Sequence, residues 1–77
     1  MEEQKLITFG EHIRHLRHKK SISQEELAAR CGLDRTYVSG IERGKRNISL
    51  LNLFKLAHGL EIEAKELLDF TDGDCHE

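Results

Sequence analysis

Between Ile22 and Leu53 one local pattern occurs three times: an apolar residue, a helix-capping residue, then an apolar residue at the fourth helical position. Ile22, Ser23 and Leu27 make the first copy, Leu33, Asp34 and Val38 the second, and Ile48, Ser49 and Leu53 the third. The cap accepts a hydrogen bond from an orphaned backbone N–H, and the flanking apolar pair staples the entering chain to the first turn. Glu26, three residues after Ser23, gives the first copy the form of a capping box. Gly32 can take the left-handed conformation that ends a helix without steric cost. Starts this closely spaced commit the chain to short helices joined by tight turns.

The pattern predicts an all-α fold of five helices and no strands. The second helix spans Gln24 to Cys31, and the third spans Arg35 to Glu42 and stops at Gly44. With the glycine turn between them they have the form of a helix-turn-helix, whose second helix is shaped to enter a DNA major groove. The first helix runs from Leu6 to Lys19, with Phe9, Ile13 and Leu16 along one face. Thr8 and Glu11 offer a capping box that would start it at Phe9 instead. A fourth helix runs from Leu50 to His58 with Gly59 as its stop, and a short fifth covers Ala64 to Leu68. Residues 1–70 then form one domain, and residues 71–77 an acidic tail expected to be flexible.

A chain of 77 residues buries only about 60% of the surface its unfolded form exposes, so self-association would support a thin core. The net charge of −2 divides unevenly, with +5 on residues 11–60 and −6 on residues 61–77. The middle of the chain can present a basic face if the acidic end lies away from it. No apolar run is long enough to span a bilayer and no secretory signal is evident, so a cytoplasmic protein is expected. Cys31 reads as a small buried hydrophobe and Cys75 lies in the polar tail; their spacing matches neither a zinc site nor a redox site. His12, His15 and His18 recur every third residue, which does not keep them on one helix face, so solvent exposure rather than metal binding is expected. No nucleophile–base pair, paired carboxylates or phosphate loop stands out, so neither an enzyme nor a cofactor is expected.

Around the third helix, Leu33, Val38 and Ile41 face inward and Tyr37 flanks them, which leaves Arg35, Thr36, Ser39 and Gly40 outside. A guanidinium can pair bidentately with guanine, hydroxyls can donate or accept, and the threonine methyl can touch a thymine methyl. Arg35, Thr36 and Ser39 are therefore the candidate base-reading residues. Arg43, Lys45, Arg46 and Asn47 follow in a loop that would adjoin the DNA backbone, with minor-groove entry an alternative for Arg46. Tyr37 is a further candidate for the backbone, against a purely packing role.

The fourth helix has more apolar residues than one stripe needs. Leu50, Leu53, Ala57 and Leu60 make an inward face with Leu56 beside it, and Leu51 and Phe54 lie off that face. Together with Leu67, Leu68 and Phe70 they suggest a two-fold homodimer interface, the alternative being a single wide core. Such a dimer would match an inverted repeat with half-sites about 34 Å apart.

Roughly residues 9–68, above all Asp34-Arg35-Thr36-Tyr37-Val38-Ser39-Gly40-Ile41-Glu42-Arg43 and Arg46-Asn47-Ile48-Ser49-Leu50, resemble the Cro and repressor helix-turn-helix family. The likeness is strongest to the small controller proteins of restriction-modification systems. It implies a compact lambda-repressor-like domain that regulates transcription from palindromic operators, its own promoter and an endonuclease gene included. RNA polymerase is a further candidate partner, and no membrane is implicated. It places Arg35, Thr36 and Ser39 on base-reading positions and Gln24 on a DNA-backbone position. It also implies a partly buried salt bridge between Arg17 and Glu42. Ser21 departs from the family, which usually carries glycine there. A phage-type repressor or antitoxin remains the nearest alternative, and a protein-interaction module on the same fold the more distant one.

Overall fold

The computed structural model describes residues 2–70; the acidic tail and Cys75 lie outside the described residues. Five helices follow in order: α1 (Glu2–Lys19), α2 (Gln24–Cys31), α3 (Arg35–Glu42), α4 (Leu50–Leu60) and α5 (Ala64–Leu67). No strand occurs among the described residues. Ile13, Leu27, Val38, Ile41, Leu56 and Leu60 meet in the centre, drawing on the first four helices.

The capping grammar operates where its geometry allows. Ser23 Oγ accepts from the Glu26 N–H at 3.0 Å, and Ser49 Oγ accepts from the Asn52 N–H at 3.2 Å. The Glu26 carboxylate does not close the capping box; it accepts from Arg30 one turn on, at 2.9 Å. Asp34 has the extended backbone of an N-cap but makes no side-chain cap bond, so α3 starts on its staple and its backbone. Gly32, at φ 72°, closes α2, and the Leu33 N–H reaches back to the Ala28 carbonyl at 2.9 Å.

Two boundaries differ from the sequence reading. α1 begins at Glu2, and Thr8 lies inside it, buried, with its hydroxyl accepting from Gln4 Nε2 at 3.3 Å. A threonine satisfied one turn back has no need to cap. Gly59 does not stop α4 but lies buried within it, because a Cβ there would strike Cys31 Sγ. The stop is Glu61, at φ 60°. Ser21 takes the glycine-like conformation as well, at φ 59°.

The histidine and apolar-face expectations also change. His12 is buried rather than solvent-facing: its Nε2 donates to the Glu66 carbonyl at 2.8 Å, and its ring lies 5.5 Å from that of Phe70. Leu67 is fully buried and Phe70 packs on Phe9 at 5.9 Å, so neither stands ready for an interface. Both follow from α5 folding back on α1, which no local pattern announces. Leu50, assigned to the inward stripe, is 69% exposed, because α2 covers the later part of α4 around Gly59.

α1 approaches α3 closely at Gly10, where a Cβ would lie against the backbone carbonyls of Ile41 and Glu42. Gly10→Ala is expected to cost about 1–3 kcal/mol, since rigid backbone cannot yield to the added methyl. Ser21→Gly is expected to stabilise by about 1 kcal/mol by relieving left-handed strain. Thermal unfolding of the two variants beside the wild type checks both signs.

Candidate nucleic-acid interface

The second helix of the motif, α3, is held at its C-terminal end by one buried carboxylate. Glu42, the last residue of α3, accepts from Arg17 Nε at 2.7 Å and from a second Arg17 nitrogen at 3.0 Å. Arg17 also donates to the Ile22 carbonyl at 2.9 Å, which ties the link before α2 to the same guanidinium. Gln24 Nε2 donates to Glu42 at 3.0 Å, and Arg14 approaches it at 3.5 Å from the solvent side. Three helices thus converge on one side chain.

Burial by itself pushes the Glu42 carboxyl up, but hydrogen bonds from Arg17 and Gln24 and the charges of Arg17 and Arg14 outweigh it. The carboxyl is held below the usual carboxylate range. Burial pushes the Cys31 thiol up, against a smaller opposing effect from a backbone bond at Gly59, so the thiol is a poor nucleophile.

At the other end of α3, Arg35 and Thr36 are exposed in the first turn and Ser39 is half-buried one turn later. Gly40 is not open to an approaching groove: the Arg46 stem covers it, and a Cβ there would lie 2.9 Å from Arg46 Cγ. The Arg46 guanidinium stands 5.3 Å above the Tyr37 ring. The Tyr37 hydroxyl accepts from Asn52 Nδ2 of α4 at 3.0 Å.

Arg43, Lys45, Arg46 and Asn47 are all exposed. The loop is tied to the end of α3, with the Lys45 N–H on the Gly40 carbonyl at 2.8 Å and the Gly44 N–H on the Ile41 carbonyl at 3.0 Å. Its cations therefore flank the negative end of the helix dipole, where positive charge is favoured. Gln24 is half-buried with its amide donor committed to Glu42. What the start of α2 leaves open is backbone N–H groups that no intrahelical bond can reach.

Sequence reasoning missed two participants. Arg14 carries no local signal, yet it reaches Glu42. Asn52 carried no signal, because its contact with Tyr37 crosses between helices.

A braced helix with an exposed arginine and threonine, followed by a cationic loop, defines a helix-turn-helix DNA-binding protein. The helix-turn-helix family profile matches residues 13–67. The control protein C.BamHI of Bacillus amyloliquefaciens is 49% identical over 73 residues, spanning 92% of this chain and 90% of that protein. C.MunI of a Mycoplasma species is 53% identical over 67 residues, spanning 86% and 88%. The crystal structure of the restriction-modification controller protein C.AhdI from Aeromonas hydrophila superposes with a TM-score of 0.79 at 56% identity, over 80% of this chain and 94% of that one. The chain belongs to the helix-turn-helix transcription regulators of the restriction-modification controller type.

Glu42→Ala leaves the buried Arg17 guanidinium without its counter-charge and is expected to destabilise the fold by about 3–5 kcal/mol in urea unfolding. Because the carboxyl is held low, the stability it supplies is complete above the ordinary glutamate pKa of about 4.3 and drains away as pH falls through the lowered folded-state value. Glu42→Gln is accordingly expected to show a weaker loss of stability on acidification below about pH 4.3 than the wild type.

Proposed function

We propose that this regulator acts as a homodimer that binds inverted-repeat operators sequence-specifically, governing its own promoter and a restriction-modification operon. The observation that carries the reading is the exposed first turn of α3, with Arg35 and Thr36 outward while Glu42 anchors the other end of the same helix. Arg35, Thr36 and Ser39 read base edges, Arg35 by its bidentate fit to guanine. Arg43, Lys45, Arg46, Asn47, Tyr37 and the start of α2 at Gln24 contact the sugar–phosphate backbone and set the register. No chemistry on a substrate is involved, and the target, duplex DNA, makes the cytoplasm the place of action. An activating operator would add contact with RNA polymerase.

The dimer reading rests on apolar side chains that the fold leaves outside. Leu51 is 73% exposed, Phe54 54% and Leu68 58%, and Leu50 joins the set from the first turn of α4. Phe54 lies three and four residues from Leu51 and Leu50, so the three share one side of α4. Leu67 and Phe70 are left out of this surface because the protomer already buries or half-buries them.

Selection of duplexes from a random library at fixed salt tests base reading. The wild type is expected to enrich an inverted repeat with half-sites about one helical turn apart. Arg35→Ala is expected to lose preference at one position of each half-site, at a cost of about 1–3 kcal/mol. Enrichment of no sequence, with retained helicity, would leave a protein-docking module on this fold instead. Phe54→Asp is expected to shift sedimentation toward the monomer and to weaken operator binding; an unchanged dimer would move the interface elsewhere.

A further inference from the structure

Tyr37, Arg46 and Asn52 come from α3, the following loop and α4, and they meet on the reading side of the molecule. They line an open concavity of about 550 Å³ together with Thr36, Asp34, Leu33 and Gly32. Tyr37 packs against the edge of the core with its hydroxyl turned to Asn52, while Asn52 and Arg46 take no part in the core.

We propose that Asn52 is a positioning residue for DNA reading, setting the Tyr37 hydroxyl as a hydrogen-bond donor and the Tyr37 ring as a seat for Arg46. The proposal rests on the base-reading function given above. A phenol hydroxyl has one proton and accepting lone pairs. Asn52 Nδ2 donates to that oxygen at 3.0 Å, so a lone pair is occupied and the phenolic proton remains available. A hydroxyl fixed in this sense suits base-edge acceptors, such as guanine O6 and N7, adenine N7 or thymine O4, so the Tyr37 hydroxyl turns from the backbone toward such an edge. It gains less from the amino groups of cytosine and adenine, for which only the remaining lone pair is left.

The same bond restrains the ring from one side while Arg46 covers it. Arg46 leaves the loop, lies along the bare backbone of Gly40 and ends with its guanidinium 5.3 Å from the ring centroid. A long cationic side chain on a loop ordinarily loses much rotamer freedom on binding. Here the Gly40 surface and the Tyr37 face restrict it before DNA arrives, beside exposed Thr36. Asn52 thereby acts on the DNA through Tyr37 and Arg46.

The chain has one tyrosine and no tryptophan, so its ultraviolet fluorescence reports the Tyr37 environment alone. In free full-length protein, Asn52→Ala is expected to lower Tyr37 fluorescence anisotropy with helicity unchanged. Affinities are then measured for the selected operator and a scrambled duplex, over a salt series, for the wild type, Asn52→Ala, Tyr37→Phe and the double variant. Each single change is expected to lower the operator-to-scrambled ratio roughly two- to ten-fold, and the double change no more than Tyr37→Phe alone, since that variant already removes the hydroxyl through which Asn52 acts. The salt slope is expected to stay constant, because no phosphate contact of Asn52 itself is lost.

Losses that multiply in the double variant would overturn the proposal. So would equal weakening on both duplexes with a salt slope reduced by about one, which makes Asn52 a phosphate ligand. Unchanged anisotropy and an unchanged ratio in Asn52→Ala, beside a selective wild type, would sink it while leaving base reading intact. A wild type that does not distinguish the duplexes would instead overturn base reading itself.

Discussion

Glu42 ends α3 with its carboxylate buried, and Arg17 of α1 meets it through bonds of 2.7 and 3.0 Å. The remaining acceptor capacity is taken by Gln24 from α2, and the spare guanidinium nitrogen by the Ile22 carbonyl. Charges withdrawn from water are costly unless every donor and acceptor is matched, and this cluster is matched from three directions. Gly10 permits it by letting α1 lie directly on the last turn of α3. The orientation of the reading helix relative to α1 and α2 is thus set by directional bonds, where apolar packing alone would tolerate sliding.

With α3 anchored at one end, its outer surface divides by chemistry. One cation, Arg35, and the neutral hydroxyl of Thr36 occupy the first turn, and three further cations gather past the last turn at Arg43, Lys45 and Arg46. A free cationic loop would sweep a wide volume. This one is short, tied through Lys45 and Gly44 to α3 carbonyls, and laid back over Gly40 and Tyr37 by Arg46. The most exposed apolar residues sit instead on α4 and beyond α5, at Leu50, Leu51, Phe54 and Leu68, with Ile7 of α1 less exposed. The cationic and the apolar exposed side chains thus lie on different elements.

Much of the local structure was legible because its causes are local. Ser23, Ser49 and Gly32 act within a few residues of themselves, and α2 and α3 have the bounds their caps and staples dictate. Apart from Thr8, whose partner Gln4 is one turn away, the readings that changed share one feature: a partner distant in sequence. Thr8 looked like a cap but lies in a helix that starts six residues earlier. Gly59 looked like a stop but is a place where Cys31 presses against α4. His12, Leu67 and Phe70 looked available until α5 folded against α1 and covered them. Arg14 and Asn52 were invisible as participants for the same reason.

Sequence by itself determined the helical class, the two helices of the motif and the outward placement of Arg35 and Thr36 on α3, since caps, staples and helical period act over one or two turns, whereas Gly40, expected outside, is covered by Arg46. The family followed from the residues around Arg35 and Arg46. Tertiary structure alone decided which apolar residues remain outside, how Arg46 is laid over Tyr37, and that Gln24 and Arg14 serve Glu42. Those outcomes depend on how helices far apart in the chain come to lie against one another, and no periodicity within a helix encodes that distance.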